Sequence, residues 1–239
     1  MRHTSPLLNV ENLRFRWPNA ERDCLHIPCF TMQAGERVFL RGPSGAGKTT
    51  LLSLLTGMLE PSQGSITLLE REIRGLTRAQ RDRFRATHIG YIFQQFNLIP
   101  YLSVFENVAL GCRFSAERMA RVQREHGDLK EACNTLTQAL QLPATLMHQK
   151  AQSLSVGQQQ RVAAARALIG APPLIIADEP TSALDADTRA RFIELVMGVC
   201  QQHHSALLFV SHDASLQSHF DRSVDLLDIN QQANRSEAE

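Results

Sequence analysis

The sequence predicts an α/β fold built around a largely parallel sheet. Strand-like runs alternate with helical patterns along the 239 residues, as they do in βαβ units. One run, residues 174–177, is continuously apolar, which indicates a strand covered on both faces. A glycine-rich segment, residues 42–47, lies directly between a strand-like run and a helical pattern. Strands are predicted over residues 7–15, 26–32, 37–41, 66–69, 89–93, 174–177, 207–211 and, from a weaker pattern, 224–227.

Two helices have well-marked starting points in the sequence. The first is predicted to begin at Lys48, directly after the glycine-rich segment. The second is predicted to begin at Gly157 or Gln158 and to run to Ile169. Two consecutive prolines follow shortly after Ile169, and they prevent further helix because proline lacks the N–H group that the helix needs. The chain can then enter the next strand.

The middle of the chain differs from the rest. It lacks β-branched alternation and contains polar helical stretches at residues 116–124 and 128–141. No linker rich in Pro, Gly or Ser isolates it, so we expect a helical insertion within one domain rather than a second domain. The predicted organisation is a single domain, residues 1–239, with a core at about 1–94 and 154–229, the helical insertion at about 95–153 and a frayed polar tail at 230–239.

Composition excludes several classes of protein. The formal net charge is +1, so no overall basic field indicates nucleic acid as a partner. The five cysteines are odd in number and contain no Cys-x-x-Cys pair, which favours reduced thiols over a disulfide framework or a zinc site. No segment approaches the roughly 18 to 20 continuous apolar residues that a membrane-spanning helix requires. The N-terminus carries no apolar stretch of the signal-peptide kind. We therefore expect a cytoplasmic protein.

Residues 42–49 fit the phosphate-loop pattern G-x-x-x-x-G-K-[ST] between a strand and a helix. Glycines allow successive N–H groups to point at phosphate oxygens, and the helix N-terminus adds a favourable partial charge. Lys48 is expected to bridge the β- and γ-phosphates, and the Thr49 hydroxyl to ligate Mg²⁺. An ordinary glycine turn would not explain the flanking strand and helix. The predicted nucleotide-binding residues of this segment are Gly42, Pro43, Ser44, Gly45, Ala46, Gly47, Lys48, Thr49 and Thr50.

Two carboxylates, Asp178 and Glu179, follow the apolar run at residues 174–177. This position is the carboxyl end of a predicted buried strand, the edge at which open α/β sheets bind ligands. Asp178 is expected to hold Mg²⁺ through water. Glu179 points in a different direction and is expected to act as the general base that polarises the attacking water. A solvated pair of acidic residues at a strand end is the alternative.

The run Leu-Ser-Val-Gly-Gln-Gln-Gln-Arg, residues 154–161, lies between the phosphate loop and the acidic strand end. In this order, over about residues 8–227, the three motifs resemble the nucleotide-binding subunit of an ATP-binding cassette (ABC) transporter. A GTPase would carry an Asn-Lys-x-Asp guanine reader, which does not occur in the sequence. The resemblance implies a phosphate-loop NTPase core with a mostly parallel sheet, an antiparallel β-rich N-terminal part and an inserted helical subdomain.

In the family, ATP is clamped between two cassettes, and the resemblance assigns the partner-facing residues. The signature residues Ser155, Gly157 and Gln158 complete the nucleotide site of the opposite subunit. Asp185, in the segment called the D-loop, meets the partner's phosphate loop. Val156 departs from the family pattern, which has glycine at this position. A β-branched side chain disfavours positive φ and close backbone approach, so the departure bears on catalytic rate.

The resemblance also assigns three residues around the nucleotide. Gln94, in the segment called the Q-loop, reaches Mg²⁺ and the attacking water. His212, which follows an apolar strand, contacts the γ-phosphate. Trp17 matches the position of an aromatic residue that stacks on adenine, with a half-buried edge tryptophan as the alternative. The predicted catalytic set is therefore Glu179, His212 and Gln94, and the predicted metal set is Thr49, Gln94 and Asp178.

These features predict an ATP-hydrolysing subunit that powers a separate membrane permease carried on another chain, with Mg²⁺ as cofactor. A second cassette subunit, a homodimer partner, is expected, and nucleic acid is not. The protein would be peripheral on the inner face of the cell membrane. The segment around residues 93–100 looks most like the branch for lipoprotein release and macrolide export, which implies export or extraction of a hydrophobic or lipidated substrate. An import-type cassette and a non-transport or regulatory ABC ATPase remain as alternatives.

Overall fold

The structure is a computed structural model that describes residues 5–182 and 184–232. Its chain forms two compact units. The first contains the chain up to Asp82 and from Phe209 onward, and the second contains Arg83–Leu208. In chain order the elements are β1 (Leu8–Phe15), β2 (Leu25–Met32), β3 (Arg37–Arg41), α1 (Lys48–Leu55), β4 (Gln63–Leu68), β5 (Arg71–Glu72), α2 (Arg78–His88), β6 (Ile89–Ile92), α3 (Val104–Arg113), α4 (Ala116–His126), α5 (Leu129–Ala139), α6 (Val156–Leu168), β7 (Leu174–Asp178), α7 (Ala186–Gln202), β8 (Ala206–Val210), β9 (Arg222–Asp225) and α8 (Leu226–Ile229).

The first unit contains an antiparallel sheet in the order β2-β1-β4-β5. The pairing of β1 with β2 runs from Leu8↔Met32 to Phe15↔Leu25. Also in this unit, β9 pairs parallel with β3, and the N–H of Ser211, just after β8, donates to the Leu40 carbonyl of β3 at 3.2 Å. The carboxyl ends of β3 and β8 therefore lie side by side in this unit.

The second unit contains β6, β7 and the first three residues of β8, in that order. β6 and β7 are parallel, with Ile89 opposite Leu174 and Ile92 opposite Ala177. Residues 174–177 are fully buried, as the continuous apolar run predicts. Together, the antiparallel and parallel sheets and the helices of the two units confirm the predicted α/β fold class.

Most predicted strands are found, with ends that differ by up to three residues. The last one is partly wrong, because the strand covers Arg222–Asp225 and Leu226–Ile229 forms a helix instead. The Asp225 carboxylate accepts a hydrogen bond from the Leu227 N–H at 3.0 Å, which caps that helix and ends the strand. The helices at Lys48 and before Ile169 are confirmed, whereas α2, α7 and the short strand β5 were not predicted.

The C-terminal end of α6 is held by two arginines of α4. Arg118 donates from Nε to the Ile169 carbonyl at 2.9 Å and from Nη2 to the Ala167 carbonyl at 2.8 Å. Arg121 donates to the Gly170 carbonyl at 2.8 Å. Cations at this end of a helix bind its unpaired carbonyls and oppose its dipole. Burial lowers the pKa of Arg118 to about 10, so its guanidinium still carries its charge at neutral pH.

Helices α3 and α6 pack so closely that their backbones are in contact at Gly111. A Cβ atom added to Gly111 of α3 would lie 2.2 Å from the Arg166 carbonyl oxygen and 2.4 Å from Cγ2 of Ile169. Only glycine fits at such a distance, so Gly111 sets the separation of the two helices. Gly198, an exposed glycine in α7, offers a contrast, because an added Cβ meets no atom of the described residues within 4 Å.

We expect Gly111→Ala to lower the free energy of unfolding by about 1–3 kcal/mol, because its methyl group overpacks the contact between α3 and α6. Gly198→Ala makes the same chemical change in an open helix position and should instead raise stability by about 0.5–1 kcal/mol, through helix propensity alone. Urea unfolding of both variants tests this difference. Equal shifts of the two midpoints would contradict the close approach at Gly111.

Candidate functional site

The phosphate loop lies in the first unit, between β3 and α1. Gly45 and Gly47 have φ angles of 82° and 97°, which residues with a side chain rarely adopt. Gly47 occupies the N-cap position of α1 and has no side chain to cap it. The first N–H groups of α1 therefore face the loop, which is the arrangement that binds phosphate at helix N-termini. Nζ of Lys48 folds back over the loop and donates to the carbonyls of Gly42 at 2.7 Å and Pro43 at 3.1 Å.

Two more predicted residues lie in the first unit. His212 comes two residues after the end of β8, and its neighbour Ser211 is hydrogen-bonded to Leu40 of β3. The structure thus brings His212 to the edge of the sheet from which the phosphate loop starts. The Trp17 ring is 46% exposed and packs edge-on against Phe15, with ring centroids 5.0 Å apart. An exposed ring fixed in this way is suited to stacking on a base.

Three predicted residues share one edge of the sheet in the second unit. Gln94 follows β6, while Asp178 ends β7 and Glu179 comes next. Because β6 and β7 are parallel, their carboxyl ends meet at the same edge. Glu179 has a φ angle of 44°, an unusual left-handed conformation for a residue with a side chain. The side chain of Glu179 consequently leaves the chain in a different direction from that of Asp178.

Tyr91 of β6 was not recognised from the sequence. Its hydroxyl donates a hydrogen bond to Oδ2 of Asp178 at 3.1 Å. The only signal in the sequence was a polar hydroxyl within a predicted strand, and the partner follows only from how β6 and β7 are aligned.

Arg166 of α6 was also missed. Phe96 and Asn97 both have left-handed φ angles, at 58° and 49°. The guanidinium of Arg166 binds the carbonyls of both residues at 2.5 Å. Burial lowers the pKa of Arg166. This arginine therefore ties the segment after Gln94 to the helix that begins at the signature.

The signature residues form the start of α6. Ser155 is the N-cap, and its hydroxyl accepts from the Gln158 N–H at 3.3 Å while the Gln158 side chain accepts from the Ser155 N–H at 3.0 Å. Val156 is the first helical residue, so its φ is negative, and its side chain is 50% exposed. Val156 therefore does not adopt the positive φ that a β-branched side chain disfavours. A Cβ added to Gly157 meets no atom of the described residues within 4 Å.

Asp185 caps the N-terminus of α7. The Asp185 carboxylate accepts a hydrogen bond from the Thr188 N–H at 2.9 Å. Hydrogen bonding to Thr188 lowers the pKa of Asp185. One further contact links the signature helix to the segment after Glu179, since the buried Gln160 donates to the Pro180 carbonyl at 2.6 Å. Within the second unit, α6 is thus joined to both predicted catalytic segments.

Comparison with known proteins assigns this arrangement to a family. Residues 25–182 match the sequence model of the family described as ABC transporter. The chain belongs to the ABC transporter family. It is an ATP-binding subunit whose hydrolysis of ATP is coupled to transport, as the motifs predict. Among the helices of the described residues, none combines the length and apolar character that a membrane span requires.

Relatives of this ABC ATPase include proteins named for export. The chain is 36% identical over 198 residues to the lipoprotein-releasing system ATP-binding protein LolD of Hydrogenovibrio crunogenus. The matched residues cover 82% of each chain. It is 38% identical over 197 residues to the macrolide export ATP-binding/permease protein MacB of Rhodopirellula baltica, covering 82% of this chain and 28% of that one. The resemblance to this branch is confirmed.

A solved structure shares the fold of this ABC ATPase. It is the dimeric ATP-binding cassette MJ0796 in a post-hydrolysis state bound to ADP and Pi. The two chains are 28% identical, with a TM-score of 0.77 and coverage of 91% of this chain and 93% of that one.

We expect Arg166→Ala to loosen the segment after Gln94, because two charge-assisted hydrogen bonds to backbone carbonyls are lost. Hydrogen exchange followed by mass spectrometry should show amides of residues 95–99 exchanging about 10-fold faster, which corresponds to a loss of about 1.4 kcal/mol in local stability. Arg124→Ala, an exposed arginine in α4, is the matched control and should leave this peptide unchanged. Identical exchange rates in the wild type, Arg166→Ala and Arg124→Ala would contradict the role of Arg166 in holding this segment.

Proposed function

We propose that two copies of this cassette close around two ATP molecules and drive a separate permease in the membrane. The observation that carries this proposal is the exposed start of α6. In the described residues, Gly157 has open space around it, although a glycine within a helix normally lowers helix stability by about 1 kcal/mol. Packing among the described residues gives no reason for this glycine, whereas close approach of a partner's nucleotide does.

Ser155 can cap its own helix and still bind a phosphate. In the capping bond the Ser155 hydroxyl oxygen accepts through one lone pair. The O–H of the same hydroxyl can still donate a hydrogen bond to a phosphate oxygen. The first N–H groups of α6 add favourable partial charge toward an anion. A partner's γ-phosphate bound at this point would contact Ser155 and the Gly157 N–H, and Asp185 would meet the partner's phosphate loop.

The nucleotide would be bound by the phosphate loop of each chain. When ATP binds, the Lys48 ammonium group leaves the loop carbonyls of Gly42 and Pro43 and binds the β- and γ-phosphates instead. Trp17 stacks on adenine. Glu179 acts as general base toward the attacking water, while Gln94 orients that water and His212 contacts the γ-phosphate. The left-handed backbone at Glu179 supports its role, because such strain is typical of functional positions.

Mg²⁺ fits the proposed donor set. The Thr49 hydroxyl, the Gln94 amide oxygen and the Asp178 carboxylate are hard oxygen donors, which Mg²⁺ prefers. Across the described residues, no group of three or more His, Cys, Asp or Glu side chains is placed to hold a metal ion by itself. A site of few side chains suits Mg²⁺ that is bound together with nucleotide phosphates and water. The ion would neutralise phosphate charge during hydrolysis.

The proposed work of the cassette is export or extraction of a hydrophobic or lipidated substrate. This is supported by similarity to LolD and MacB, whose names refer to lipoprotein release and macrolide export. A permease on another chain would place the protein on the inner face of the membrane. The gene beside this one offers a direct check, since four spans around a large extracytoplasmic domain would support export and about six evenly spaced spans would support import.

Replacing Glu179 with Gln should slow ATP hydrolysis by about 10²–10⁴-fold, because the amide cannot accept a proton from water. Binding of a fluorescent ATP analogue should stay within about 3-fold of wild type, since the uncharged amide is nearly isosteric. Glu194→Gln, the same change at an exposed position of α7, should leave hydrolysis unaffected. Undiminished hydrolysis in Glu179→Gln would reject Glu179 as the base.

The shared site can be tested by crosslinking. One chain carries Ser44→Cys and the other Val156→Cys, both on the Glu179→Gln background, with the exposed Cys29 replaced by Ser. ATP should produce a mixed disulfide dimer, because it brings the phosphate loop of one chain to the signature of the other. A pair with Arg124→Cys in place of Val156→Cys should not crosslink. If no crosslink forms with the permease present, the shared nucleotide site is wrong.

A further inference from the structure

Tyr91 lies where two strands and two proposed Mg²⁺ ligands meet. In the parallel pairing, Tyr91 of β6 is opposite Ile176 of β7. Side chains alternate across a strand, so Ile176 and Asp178 project from the same face as Tyr91. The tyrosine ring is long enough to extend past Ile176 to Asp178, the next residue on that face of β7. Its hydroxyl reaches Oδ2 of Asp178 at 3.1 Å. The contact therefore depends on the strand register.

The position of the Tyr91 hydroxyl is restrained by packing. The ring lies against Phe93, with centroids 4.3 Å apart and planes 35° from parallel. Burial and the negative charge of Asp178 raise the pKa of Tyr91 well above its usual value. The phenol O–H is the donor of this hydrogen bond, because an ionised carboxylate has only acceptor oxygens.

We propose that Tyr91 is a positioning residue that holds the Asp178 carboxylate in one orientation toward Mg²⁺ and ties it to the strand leading into Gln94. This inference rests on the proposed role of Asp178 as a Mg²⁺ ligand. Groups that hydrogen-bond a metal-binding carboxylate restrict its rotation and keep its oxygens directed at the metal shell. In this role Tyr91 would act through Asp178 and would not itself bind the nucleotide or the ion.

Tyr91→Phe removes the hydroxyl and keeps the ring that packs on Phe93. The Mg²⁺ concentration that gives half-maximal ATPase activity should rise about 10-fold. At saturating Mg²⁺, kcat should stay within about 2-fold of wild type, because the chemical groups are intact. The chain has only one other tyrosine, the exposed Tyr101, so Tyr101→Phe is the matched control and should leave the Mg²⁺ dependence unchanged.

Nucleotide binding gives a readout that does not depend on hydrolysis. The affinity for a fluorescent ATP analogue is measured with Mg²⁺ and with EDTA. In Tyr91→Phe, the gain in affinity that Mg²⁺ provides should shrink, while the affinity in EDTA stays the same. A purely structural role would instead weaken both affinities equally and lower the melting temperature, and that result would overturn the proposal. An unchanged Mg²⁺ midpoint with unchanged binding would overturn it as well.

Asp178→Asn separates this inference from the proposed site. If Asp178→Asn leaves the Mg²⁺ midpoint unchanged, the proposed role of Asp178 is wrong and the inference is wrong with it. If Asp178→Asn raises the midpoint and Tyr91→Phe does not, only the role of Tyr91 is wrong. If Tyr91 acts through Asp178, adding Tyr91→Phe to Asp178→Asn should produce little further change, because the two effects are not independent.

Discussion

The hydrogen bonds that fix α6 are the interactions on which the second unit depends. Near its start, the buried Gln160 binds the Pro180 carbonyl, and further along Arg166 binds the carbonyls of Phe96 and Asn97. At its C-terminal end, Arg118 binds carbonyls that the helix cannot pair. The bonds from the two arginines are charge-assisted and contribute about 1.5–3 kcal/mol each, and breaking any bond of this set would leave costly unpaired groups. The signature helix is therefore held in one position within its unit.

Unusual backbone conformations occur at two segments that this helix contacts. Glu179, Phe96 and Asn97 all have positive φ angles, each of which costs on the order of 1 kcal/mol or more. Arg166 binds two of these residues directly, and Gln160 binds the residue that follows Glu179. Hydrogen bonds to α6 thus offset the local strain. A signature helix joined to both segments gives the protein a physical means of linking the proposed catalytic residues of a chain to the site that it is proposed to offer a partner.

Much of the fold could be predicted because its signals are local. The continuous apolar run of β7 and the glycine-rich turn before Lys48 each define an element within a few residues. The polar helix α2 was missed because only Phe84 and Thr87 are buried, so it has no apolar stripe. The end of β9 was misplaced because a single capping carboxylate, Asp225, decides it.

The sequence by itself determined that the protein binds a nucleotide phosphate, belongs to the ABC transporter family and carries two acidic residues at a strand end. Those features are runs of adjacent residues, so no knowledge of distant contacts is needed to read them. Only the tertiary structure decided that Tyr91 faces Asp178 and that Arg166 holds the segment after Gln94. The partners are 87 and about 70 residues apart in the chain, and strand register and helix packing bring them together.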